Sequence, residues 1–308
     1  MAEVHTERRE RLRAGALAAG IEAVLVTRPV NVQWLTGADG ARALLLTRDG
    51  VRVAVAADCP LPEDVTVLAV PPGTDPAPLL AADCPASVLG FEEHDLTVAR
   101  YREVAAASGA RLADLGGAVE QLRMVKDEQE IACLRVAAEI ADQALGELLE
   151  SILVGRTERH LAMELERRMV DHGADGAAYP VRVGAGEHSG LAGHTSGDRR
   201  VEDGDFVTVA IGARYRGYRT TATRTFMVGL APADWQIELH GQVFEAQRAA
   251  RESLVADASR TPRSARHGGY WMPPGRSARS PDTGSDWRPP RLRASDPRSW
   301  VSWTTVCR

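Results

Sequence analysis

Imidazole is the side chain whose charge changes near neutral pH, so histidines are the first candidates for acid–base or metal chemistry. Two of them, His188 and His194, stand in the glycine-rich stretch Gly186–His194 (GEHSGLAGH), followed by Thr195 and Asp198. Taken alone, a loop histidine in such company reads as a solvated surface residue, and His188 is assigned to the surface. Acid–base work by His194 would need a partner to set its tautomer and pKa, and the sequence offers no obvious one. The carboxylates Asp203 and Asp205 lie nearby in Glu-Asp-Gly-Asp, a pattern that predicts a solvated turn. A third histidine sits in His267-Gly268-Gly269, without a second histidine or a strand beside it. Four cysteines (Cys59, Cys84, Cys133, Cys307) are scattered with no close pair, which fits a reduced cytosolic protein better than a disulfide framework or a zinc knuckle.

The elements that must carry these groups fall into two sets. From Thr6 to about Leu122, short apolar strands alternate with helical stretches: a helix over Arg8–Ala19, a strand over Glu22–Thr27, and a hairpin of Ala43–Thr47 and Val51–Ala56 turning at Asp49-Gly50. Pro71–Pro78 reads as a loop, Ser87–Phe91 as a strand and Leu96–Ala106 as a helix, giving an α/β domain. A second unit begins at Leu122. Asp127 is a helix cap candidate, and Ile131, Leu134, Ala138, Ala141, Leu145, Leu148 and Ile152 recur at helical spacing. Thr157 caps a further helix that buries Leu161, Leu165 and Met169 and stops at Gly173. Phe206–Ala213 and Thr223–Val228 are β-rich around a turn at Tyr215–Tyr218, and a helix runs from Asp234 to about Leu254.

After that the composition changes. Ser259–Arg308 has ten arginines, seven prolines and four tryptophans, but no Glu, Lys, Ile or Phe. With three aspartates the segment carries +7, leaving −12 for residues 1–258 out of a total of −5. Arg and Trp together could serve a nucleic-acid arm. The absence of an apolar period instead predicts disorder, and the arginine excess without lysine predicts a shifted reading frame of a GC-rich gene beginning near Ala256–Thr261.

Nine short stretches resemble the creatinase, prolidase and aminopeptidase P family. Asn31–Gly37 (NVQWLTG) follows the first strand as in that family's N-terminal domain, and Leu122–Ile131 (LRMVKDEQEI) resembles the junction into its catalytic domain. Gly155–Glu158 (GRTE), Gly173–Pro180 (GADGAAYP), Gly186–His194 with Asp198-Arg199, Gly204-Asp205, Gly212-Ala213, Gly217-Tyr218 and Thr223–Gly229 (TRTFMVG) follow in the family's order. The implied organisation is an α/β creatinase-like N-terminal domain over residues 6–121, then the first half of an α+β pita-bread domain over 122–255. Residues 256–308 form a tail that belongs to neither. An incomplete pita-bread domain is expected to leave an open sheet edge.

The resemblance also implies a chemistry: two divalent metals (Mn, Co or Zn) held by two aspartates, a histidine and two glutamates, cleaving Xaa-Pro bonds. His194 falls at the family's auxiliary histidine, which assists the substrate and the proton transfer. The two aspartate positions hold Ala210 and Thr221, and no glutamate follows Glu252. The expected protein is therefore related to Xaa-Pro aminopeptidases and dipeptidases but catalytically inactive, with no metal or other cofactor of its own. The alternatives are a non-enzymatic protein that binds peptides or a partner, and a metal-free amidinohydrolase of the creatinase kind using His194. In the latter, the turn carboxylate of creatinase would fall on Thr223. Proline-containing peptides and a second copy of the chain are the partners implied. The mild acidity excludes a strongly basic nucleic-acid binder, and no apolar run is long enough to span a bilayer. A cytoplasmic location is expected.

Overall fold

A computed structural model describes residues 2–55, 60–151, 153–191, 193–252 and 302–305. The chain divides into two compact units, Met1–Asp127 and Glu128–Arg308.

The first unit is built on a six-stranded sheet ordered β4-β3-β2-β1-β5-β6. Its strands are β1 (Ala23–Val26), β2 (Ala41–Leu46), β3 (Val51–Val55), β4 (Thr66–Ala69), β5 (Val88–Phe91) and β6 (Arg111–Asp114). β1 runs parallel to β5 and antiparallel to β2. The residues of β1 are buried throughout, as expected of a strand covered on both faces. Helices α1 (Ala2–Ala18), α2 (Pro29–Thr36), α3 (Pro76–Ala82), α4 (Val98–Ala107) and α5 (Ala118–Met124) belong to this unit. The hairpin closes at Asp49-Gly50, where Thr47 N–H donates to the Gly50 carbonyl at 2.9 Å. The proline-rich stretch departs from the expected loop. Pro76 opens α3, where its missing N–H is one of those a helix leaves free, and Asp75 caps it by accepting from Ala77 N.

In the second unit, helices α6 (Glu128–Leu149) and α7 (Glu158–Asp171) share an apolar core with an antiparallel sheet ordered β13-β12-β9-β8. The strands are β8 (Arg182–Ala185), β9 (Phe206–Ile211), β12 (Ala222–Met227) and β13 (Ser302–Thr305). A smaller sheet contains β7 (Gly176–Ala177), β10 (Ala213–Tyr215) and β11 (Tyr218–Arg219), and α8 spans Asp234–Glu252. The apolar stripe of α6 differs from the expected one at its start. Ile131 and Ala138 are exposed, while Ala137, Ile140, Ala144 and Leu148 are buried, so the core-facing row begins two turns into the helix.

Four residues of the tail also depart from expectation. Ser302–Thr305 pairs with β12, Thr223 facing Thr305 and Thr225 facing Trp303, and so covers the sheet edge expected to stay open. Threonine and tryptophan favour extended backbone, and β12 presents an unpaired row of backbone groups to receive them. The other residues of the expected tail, including His267, lie outside the described residues. No described helix is long and apolar enough to cross a membrane.

Candidate functional site

The chemistry of the second unit gathers around the start of α7. Thr157 caps the helix, its hydroxyl accepting from His160 N. The next two amides, Glu158 N and Arg159 N, donate to the carbonyls of Arg199 and Gly197. The free end of the helix is thereby tied to the segment after His194 rather than to water. Glu158 is the first helical residue, and its side chain has no exposed surface. A glutamate at this position ordinarily points into solvent and complements the helix dipole. Here it turns inward and is surrounded by donors.

Each carboxylate oxygen of Glu158 receives one backbone and one imidazole group. Oε1 lies 2.9 Å from Ala185 N and 2.8 Å from His188 Nδ1. Oε2 lies 3.0 Å from Gly197 N and 2.8 Å from His194 Nε2. Burial pushes the Glu158 acid upward, but these four contacts outweigh it and bring its pKa down to about 2. At neutral pH the group is thus an acceptor only, which assigns the proton to His188 Nδ1 and to His194 Nε2. The two rings lie 4.3 Å apart, tilted by 33°. His188 sits on a 3₁₀ turn, Gly186–Gly190. Gly184 makes room for this packing, since a Cβ there would lie 2.6 Å from the His188 carbonyl oxygen and 3.4 Å from the His194 ring.

His194 therefore has the partner that the sequence did not reveal. His188 is not the surface residue expected of it, because its ring is three-quarters covered and bonded to the same carboxylate. Asp205 also departs from the solvated turn. Its carboxylate is paired through both oxygens with Arg199 at 2.6 and 3.2 Å, and accepts from Glu202 N. Asp203 is exposed as expected. Glu158 itself was visible in the sequence only as the last residue of Gly155–Glu158, with no role attached.

Ala210 and Thr221 occupy different surroundings. On β9, Val207, Val209 and Ile211 face the core, so Phe206, Thr208 and Ala210 lie on the opposite face. Ala210 stands opposite Thr223 of β12 and Arg182 of β8. Thr208 and Thr225 share a hydrogen bond at 2.9 Å on this face. Thr221 precedes β12. The Tyr179 hydroxyl donates to the Ile211 carbonyl at 2.8 Å and so accepts from Thr221 Oγ1, also at 2.8 Å. Gly212 permits that approach, because a Cβ there would press on the Tyr179 ring. Neither the Ala210 methyl nor the Thr221 hydroxyl bonded to Tyr179 supplies an anionic oxygen, and a pair of dications requires several.

Among the described residues, two groups could hold a metal ion: Glu158 with His188 and His194, and Glu92 with His94 and Glu120. Neither includes Ala210 or Thr221. The second group lies in the first unit. Glu92 follows β5, is buried, and accepts from Thr27 N at 2.7 Å, Arg28 N at 2.8 Å and the Asn31 side-chain amide. Asn31 also donates to Glu120 and accepts from Arg123, both at 2.7 Å. The Asn31–Gly37 stretch thus opens with a latch that binds the start of α2 to the ends of β1 and β5. Burial, reinforced by the nearby negative charge of Glu120, pushes the Glu92 acid upward against these hydrogen bonds.

Comparison with known proteins agrees with both halves of this description. Residues 8–125 match the creatinase/prolidase N-terminal domain, and residues 132–261 match metallopeptidase family M24. An uncharacterized peptidase of Bacillus subtilis, YqhT, is 34% identical over 237 residues, covering 74% of this chain and 67% of that protein. An Xaa-Pro dipeptidase of Pyrococcus horikoshii is 37% identical over 135 residues, 44% of this chain and 38% of that enzyme. Among solved structures, an Xaa-Pro dipeptidase from Bacillus anthracis superposes with a TM-score of 0.77 at 27% identity, over 86% of this chain and 77% of that one. An X-Pro aminopeptidase from Thermotoga maritima gives a TM-score of 0.73 at 26% identity, over 83% and 76%. The chain belongs to metallopeptidase family M24, with a creatinase/prolidase N-terminal domain preceding its pita-bread domain.

Proposed function

We propose that this chain binds proline-containing peptides without cleaving them, as a pseudoenzyme of the Xaa-Pro peptidase type. One observation carries the reading: the two positions at which the family resemblance expects aspartates hold Ala210 and Thr221, and the Thr221 hydroxyl is bonded to Tyr179. Without those carboxylates there is no bridging ligand set to hold two dications and lower the pKa of a water between them. The named activity of the Pyrococcus and Bacillus anthracis relatives supports proline-containing peptides as the ligand class. His194, held by Glu158, remains as a polar contact for a peptide. We place the protein in the cytoplasm, from its scattered cysteines, and expect it to work as a homodimer. The test is paired. Xaa-Pro dipeptides are incubated with the protein and Mn²⁺, Co²⁺ or Zn²⁺, and the same peptides are titrated calorimetrically. Binding without proline release is expected, and metal-dependent release overturns the reading.

The Glu158–His194 pair gives some support to a second reading, a metal-free amidinohydrolase. With Nε2–H directed at Glu158, His194 Nδ1 is left as a base. The position of the creatinase turn carboxylate holds Thr223, however, so a guanidinium substrate lacks its counter-charge there. Urea release from creatine would establish this reading in place of the first.

A further inference from the structure

The cluster around Glu158 contains more ligating chemistry than an orienting role for His194 requires. His188 is the surplus: a second imidazole brought to the same carboxylate from the opposite end of Gly186–His194. We propose that Glu158, His188 and His194 form a mononuclear site for a borderline divalent transition-metal ion of the Zn²⁺ class. Its ligands differ from those of the family's dinuclear centre, since it uses neither the Ala210 nor the Thr221 position, and it stands whether or not peptides bind.

Two imidazoles and one carboxylate are a ligand set that such ions accept, with water completing the shell. One ligand atom from each residue lies within 4.8 Å of the others. Backbone donors at Ala185 and Gly197 fix the orientation of the Glu158 carboxylate, as the outer contacts of a metal-bound carboxylate do. The ion would take the place of the two imidazole protons that now point at Glu158. A neutral histidine needs only to carry its proton on the other ring nitrogen to offer a lone pair at the same spot. Exposure is graded suitably: Glu158 has none, His194 16% and His188 28% of its side-chain surface. The ion thus has an anchored inner ligand and a way in from solvent. One carboxylate against a dication leaves the site at +1, suited to an anionic or water ligand at the open position.

The experiment uses the full, tag-free chain, stripped with a chelator and titrated with Co²⁺ and then Zn²⁺. Elemental analysis gives the stoichiometry, and visible absorption reports the Co²⁺ coordination. The expected result is one ion per chain, with a Co²⁺ spectrum of low coordination number that Zn²⁺ abolishes. Because Glu158→Gln puts the fold at risk, the decisive variants are His188→Gln and His194→Gln, with circular dichroism checking that each is folded. Each is expected to weaken binding by at least about tenfold. Substoichiometric uptake by the folded wild-type chain overturns the proposal, as does equal affinity in the folded His188→Gln protein.

Discussion

The second unit holds two polar clusters, and only one of them is charged. At the head of α7, Glu158 gathers two imidazoles and two backbone amides and is ionised down to a pH of about 2. On the sheet face of β9 and β12, Ala210, Thr208, Thr221 and Thr225 offer a methyl and three hydroxyls, two of them bonded to each other and the third to Tyr179. The difference lies in what each neighbourhood demands. A buried carboxylate with four donors is costly to remove, because the donors are then left without acceptors. A pair of metal-binding carboxylates without their metal repel one another, so their replacement by small neutral residues relieves the apo protein. The first constellation supports the fold through its own hydrogen bonds, whereas carboxylates at the second would gain their value from bound metals.

Among substitutions, the largest effect is expected at Glu158. Glu158→Gln removes the charge from four hydrogen bonds and turns one oxygen into a donor facing other donors. It should cost about 3 kcal/mol, read from the urea midpoint at unchanged slope. A loss below about 1 kcal/mol would show that the cluster does not support the fold. Acid gives a second view. The folded pKa of Glu158 lies below its ordinary value of 4.5, so its contribution is complete above that pH and fades as pH falls toward about 2. Glu92 carries the opposite sign. Its folded pKa is raised, so the first unit regains stability as acid protonates it. Hydrogen exchange of amides in each unit from about pH 7 to about 2 would separate the two trends, the Glu92 gain falling above its ordinary value of 4.5 and the Glu158 loss below it.

Smaller effects sharpen the same contrast. Glu92→Gln, which imitates the protonated acid that burial favours, should cost about 1 kcal/mol or less and so fall well short of Glu158→Gln. On the neutral face, Tyr179→Phe removes one donor and one acceptor near solvent and should cost about 0.5–1 kcal/mol by thermal melt. A much larger loss there would mean that the hydroxyl network is a rigid structural feature rather than a filler for missing carboxylates.

What the sequence made legible follows from the range of the interactions involved. The Thr157 cap, the Asp49-Gly50 hairpin and the stop at Gly173 depend on residues a few positions apart, and each stands where local chemistry puts it. That Ala210 and Thr221 stand at the family's aspartate positions is an expectation from the motifs that bracket them, Gly204-Asp205 and Gly212-Ala213 around the first and Gly217-Tyr218 and Thr223–Gly229 around the second. Glu158 was not legible. A glutamate opening a helix has an ordinary exposed role, and its partners Ala185, His188, His194 and Gly197 come from 27 to 39 residues away. His188 escaped for the same reason, since nothing local distinguishes a bonded imidazole from a solvated one. Pro76 and Asn31 show the same limit in the first unit: one begins a helix inside a proline-rich run, and the other latches two strand ends through Glu92.

We propose that the sheet face carrying Ala210 and Thr221 does not support dinuclear hydrolysis. An assay of the full chain for proline release from an Xaa-Pro dipeptide under saturating Mn²⁺ or Co²⁺, with metal content measured on the same sample, tests this directly. No release above the metal-only control is expected, with at most the single ion assigned to Glu158, His188 and His194. Two bound ions per chain together with proline release would contradict the account.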